Sequence, residues 1–127
     1  MISDLNQKKI RNFTDLLVWQ EAQELAVHVY KLTKCFPKDE LFGLTSQLRR
    51  AVVSVGSNIA EGFGRQGTRD KVQFYVIARG SLSETESQLL LAERLNYVGK
   101  DDIAVAMNRA NQAHRLLSGL ITKMQAS

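Results

Sequence analysis

Apolar residues recur with a helical period in four successive segments of this chain, separated by short clusters of turn residues. In the first, Leu16, Trp19, Ala22, Leu25, Ala26, Val29 and Thr33 share one face at ~100° per residue, with Glu21, Glu24, His28 and Lys31 opposite. A helix is predicted from about Thr14 to Cys35, and Asn12 and Asp15 have the spacing of a capping box at its start. Pro37 stops it and can open the next element, because the N–H that proline lacks is not needed in a first turn. The second helix is predicted from about Glu40 to Gly62, with Leu41, Leu44, Leu48, Ala51, Val52, Val55 and Ile59 as its core stripe. The turn Phe63 to Gly67 follows, and Thr68 is the expected N-cap of a third helix from about Asp70 to Val98. Gly99 suits a left-handed cap at its end, and Asp101 a cap for a fourth helix from about Asp102 to Met124.

A single proline and short connections leave little room for a sheet, and short links favour antiparallel neighbours. The predicted fold is all-α, an antiparallel up-down-up-down four-helix bundle over residues 13–127. Residues 1–12 are expected to form a mobile basic arm.

Two segments depart from simple amphipathicity. Gln47 to Arg65 is small or apolar almost all the way round, with Gly56 in its middle, whereas a helix on the surface of a lone bundle should show water a broad polar face. Burial by more than its own chain is one explanation. In the third helix, Phe74, Ile77, Leu91 and Leu95 define a stripe whose middle positions are Ser81, Glu84, Thr85 and Gln88; Tyr75, Leu82 and Leu89 define an alternative. Either stripe sets Glu84 and Gln88 at or near the inward side, where a carboxylate must be paired or protonated. The hairpin register points to Arg49 or Arg50 as the partner of Glu84, with Asn58, Ser81 and Gln88 completing a polar network. Such a network can fix helix register, sit at a subunit interface or, least in keeping with the surrounding residues, support catalysis.

Composition narrows the chemistry. The chain has 127 residues, enough for one domain with a real core, and 17 Lys+Arg against 13 Asp+Glu leave a charge of +4. That excess permits anionic partners without demanding them. Cys35 stands alone, which forbids an internal disulfide and fits a reducing compartment. No apolar run approaches the ~18–20 residues needed to span a bilayer, and the first residues lack the apolar core of a signal peptide; a cytoplasmic location without membrane contact is expected. No Glu-x-x-His pair, phosphate-binding loop, nucleophile elbow or Cys-x-x-Cys is present. The expectation is a protein that is not an enzyme and takes no cofactor or metal. The candidates for nucleic-acid contact are Lys8, Lys9 and Arg11 on the arm, Arg65, Arg69 and Lys71 at the turn between the second and third helices, and Arg79 and Arg109. Lys31, Lys34 and Lys38 cluster at the opposite end. Without an aromatic platform for bases, contact would be with phosphates and sensitive to salt.

The segments FTDLLVWQEAQEL, FPKDELFGLTSQLRRAVVSVGSNIAEGFGR and FYVIARGSLSETESQLLLAERLNYV resemble the bacterial four-helix-bundle family known as the 23S rRNA intervening-sequence proteins, over about Phe13 to Val98. The family often carries proline where this chain has Gly56. The resemblance implies a small bacterial bundle, encoded in some species within inserts of the 23S rRNA gene. That family is also similar to the accessory variability protein of diversity-generating retroelements, a basic homopentameric barrel that binds nucleic acid and a reverse transcriptase. It therefore implies a homopentamer, RNA or DNA as ligand, and a reverse-transcriptase-like or other protein partner. A protein-interaction scaffold with no nucleic-acid ligand is the alternative.

Overall fold

In a computed structural model that describes residues 9–126, regular structure consists of four long helices and two single 3-10 turns. The helices are α1 (Leu17–Thr33), α2 (Leu44–Phe63), α3 (Thr68–Arg94) and α4 (Lys100–Ala126). Helices adjacent in sequence pack on each other and α1 closes on α4, while the diagonal pairs α1–α3 and α2–α4 do not approach. Four antiparallel helices thus enclose one core, as the apolar periodicity predicts.

Side chains at helical spacing fill that core. Leu25, Leu48, Ile59, Leu82, Leu89 and Leu117 are fully buried, with Val29, Val52 and Val55 between them. At ~25 cal/mol per Å² of apolar surface, each such leucine contributes roughly 1.5–3 kcal/mol. The contact between α2 and α3 is the most extensive in the bundle. Gly62 explains how it closes: a Cβ there would lie 2.8 Å from Cε1 of buried Tyr75. Gly56 serves α1 in the same way, with Gln23 Oε1 3.2 Å from the place a Cβ would take, and α2 runs unbroken through it.

The helix ends differ from the expected boundaries for local reasons. The Asn12–Asp15 capping box forms, but it caps the 3-10 turn Phe13–Asp15. Leu16 is extended, so α1 starts only at Leu17. After Pro37 the chain makes the 3-10 turn Lys38–Glu40 and α2 waits until Leu44, whose N–H donates to Glu40 Oε1 at 3.1 Å. Thr68, expected as an N-cap, is the first residue of α3, and Gly67 precedes it as the cap. The left-handed position after α3 is Asn96 (φ 63°) rather than Gly99. The Tyr97 N–H bonds Ala92 O at 3.0 Å and the Asn96 N–H bonds Glu93 O at 2.9 Å, the paired bonds of a Schellman motif. Asp101 lies inside the first turn of α4 beside Asp102, where both oppose the positive helix end.

The Schellman turn aims Tyr97 back at the start of α2. Its hydroxyl donates to Glu40 Oε2 at 2.7 Å, so one carboxylate joins the α3–α4 turn to the α1–α2 turn. The Tyr97 bond, with a smaller effect from the Leu44 N–H, holds the Glu40 carboxyl below its ordinary value, and Glu40 in turn raises the Tyr97 phenol.

Two outcomes follow for stability. Gly62→Ala will lower stability in chemical denaturation, because overpacking against Tyr75 costs about 1–3 kcal/mol and outweighs the propensity gain of up to about 1 kcal/mol. The Glu40 contribution is fully present above the ordinary carboxyl pKa of 4.5 and is lost as pH falls through the lower folded value. Tyr97→Phe should therefore flatten the loss of stability on the acid side, and an unchanged acid limb would disprove the clasp.

Candidate functional site

Burial decides which expected site residues can act. The core stripe of α3 is Tyr75, Ala78, Leu82, Thr85, Leu89 and Ala92, the alternative of the two read from the sequence. The competing stripe would have carried Glu84 into an apolar interior at a cost of several kcal/mol. Glu84 is instead exposed, and it pairs with neither Arg49 nor Arg50. Its inward placement and that ion pair are thus corrected. Arg49 turns toward α1, donating from Nε to Thr33 Oγ1 at 2.8 Å with its guanidinium 4.6 Å from the Tyr30 ring centre. Arg50 is exposed.

A smaller polar network does join α2 and α3. Ser54 and Ser81 share a hydrogen bond of 2.9 Å, and Asn58 Nδ2 donates to Ser54 O at 2.8 Å and Oγ at 2.9 Å. Thr85 donates to Ser81 O. Asn58 and Ser81 belong to this network, whereas Gln88 does not: its Oε1 is shielded and has no donor. Between α3 and α4, His114 Nε2 lies 2.6 Å from Glu86 Oε1, a pairing of two helix flanks. Among the described residues no group of three His, Cys, Asp or Glu could hold a metal ion, and no helix is long and apolar enough to cross a membrane.

The cations divide into engaged and free. At the α2–α3 end, Lys71 Nζ donates to Phe63 O at 2.5 Å and lies 5.2 Å from the Phe63 ring centre. It closes the carbonyl end of α2, where a positive charge opposes the helix dipole. Arg65 pairs with Glu61 at 3.3 Å and lies over the Phe74 ring. Arg109 reaches Glu21 at 4.0 Å. Arg69, Lys9 and Arg11 are exposed, and their side chains have no acidic partner among the described residues; Arg79 is half-buried and likewise unpaired. Lys8 lies outside the described residues, as does most of the expected arm.

The other end holds cations outside the expected set. Lys34 and Lys38 line a hollow with Phe36, Pro37 and Leu41, and Lys31 and Lys34 flank a second with Val27, Tyr30 and Val53. Spacing in the sequence shows these lysines as a cluster. Their place beside apolar hollows depends on how α1 and α2 pack. Phe42, one residue beyond Leu41 of the first hollow, is 93% exposed.

A family model described as 23S rRNA-intervening sequence protein matches residues 14–119, so the match extends well into α4. The chain is also similar to a crystal structure from Bacteroides thetaiotaomicron, a protein of unknown function from the S23 ribosomal protein family. The two are 27% identical with a TM-score of 0.75, over 83% of this chain and 98% of that one. Among curated proteins none matches this chain.

The split between engaged and free cations has a measurable consequence. Lys71→Met should lower stability by about 1 kcal/mol, because the α2 carbonyls lose a charged donor. Arg69→Met should change it by no more than about 0.5 kcal/mol. Equal effects in denaturant melts would refute the division.

Proposed function

The chain belongs to the 23S rRNA-intervening sequence protein family, and from that premise and its surface we propose a non-enzymatic, homo-oligomeric bundle that binds the backbone of RNA or DNA as an accessory factor. The state of the cations carries the reading. Lys9, Arg11 and Arg69 at one end, and Lys31, Lys34 and Lys38 at the other, are exposed without an acidic partner among the described residues. These six cations are therefore open to an anionic ligand, on a chain whose net charge is +4. In one protomer each patch is modest. Repetition around an assembly of several copies, five by the resemblance drawn above, would add phosphate contacts across subunits.

Assembly is supported by the apolar groups left in water. Leu17, Val27, Phe42, Val53, Ile77 and Leu91 are exposed on three helices and the turn before α2. Those same groups favour a second reading, a scaffold that docks a protein partner, with the basic excess incidental.

Fluorescence anisotropy with labelled RNA and DNA tests the first reading. Affinity should fall steeply as salt rises, and Lys34→Glu with Arg69→Glu should weaken binding and reduce the salt slope by roughly one for each phosphate contact removed. No binding to either nucleic acid at low salt would end it. A partner protein retained after nuclease treatment would favour the scaffold.

A further inference from the structure

Helices α2 and α3 each carry a second seam beside the one turned to the core. On α3 it comprises Ile77, Ser81, Glu84, Gln88, Leu91 and Leu95, in the alternating steps of four and three that mark a coiled-coil seam. Ile77, Leu91 and Leu95 are 46%, 47% and 44% exposed, and Gln88 Oε1 is shielded without a donor. On α2 the second seam is Ser46, Arg50, Val53, Ser57, Ala60 and Gly64, with the same stepping. Its side chains are small apart from Arg50. Shallow hollows open at both ends, one bordered by Ser57, Ala60 and Gly64, the other by Phe42, Ser46 and Arg50.

We infer that the α2 seam of one copy of this chain receives the α3 seam of a second copy, antiparallel, with Arg50 facing Glu84 across the joint. The inference rests on the homo-oligomer reading above and names its surface. Size is complementary, since large apolar groups on α3 meet small residues and hollows on α2. Charge is complementary too, with one cation and one carboxylate at mid-seam.

Register supplies the third support. Within the chain, the Ser54–Ser81 hydrogen bond brings Arg50 level with Glu84 and Thr85. A neighbour generated by rotation about an axis that lies outside the bundle and parallel to it, with no rise, therefore brings Arg50 level with Glu84 of the next copy. The same alignment sets Ser57 level with Ile77, Ser46 level with the unsatisfied Gln88, and Phe42 level with Leu91 and Leu95. Zero rise is the condition for a closed assembly, whereas a heterologous joint with rise would propagate as a filament.

Light scattering with circular dichroism on the full chain tests this. Wild type should assemble. Arg50→Glu and Glu84→Arg should each raise the dissociation constant about tenfold or more with helix content unchanged, since both residues are exposed. The double reversal should recover the wild-type mass. On a Cys35→Ser background, mixing Ser57→Cys chains with Ile77→Cys chains should give a mixed disulfide that neither forms alone. A monomeric wild type would overturn the oligomer reading and this surface together. An assembly indifferent to both reversals, with no mixed disulfide, would overturn this surface alone and leave the homo-oligomer reading standing.

Discussion

The close approach of α2 to α3 is the constraint on which the rest of the molecule depends. Gly62 admits the Tyr75 ring, and the Ser54–Ser81 bond fixes the axial level of one helix against the other. Small residues cost helix propensity, about 1 kcal/mol for a glycine relative to alanine. What they return is backbone proximity and a defined register. Once that register is set, α3 has one rotation that buries Tyr75, Leu82 and Leu89, and every other side chain on it is assigned to core, flank or water.

That rotation shapes the surface. It keeps Glu84 in solvent, where its charge costs nothing, and leaves Ile77, Leu91 and Leu95 beside it partly bare. On α2 the same packing turns Ser57, Gly64 and Arg50 outward. The outer surface of the bundle is therefore apolar in strips and cationic at its ends.

Charge and architecture also constrain each other. Lys71 and Glu40 are both consumed by helix ends, the first closing the carbonyls of α2 and the second capping its start while holding Tyr97. A count of basic residues overstates what a ligand can use. The cations left open at the surface are those that the helix termini and acidic neighbours do not engage: Arg69 and the Lys31–Lys38 end rather than Lys71 and Arg109.

The four helices, their antiparallel order and most core residues were legible in the sequence, because apolar side chains at 3.6-residue spacing leave a long helix one face to bury. The family could be read there as well, from ordered segments over most of the chain. Helix ends were less legible, since Asn96 and Glu40 act through turn geometry and distant partners that spacing cannot show. The site was hardest to read. Two interleaved stripes on α3 offer nearly equal apolar patterns, and only the packing against α2 and α4 chose between them. That choice put Glu84 in water, while the packing of α2 on α1 turned Arg49 toward Thr33. Periodicity reports which residues share a face, while the direction of that face is decided by the neighbours that fill it.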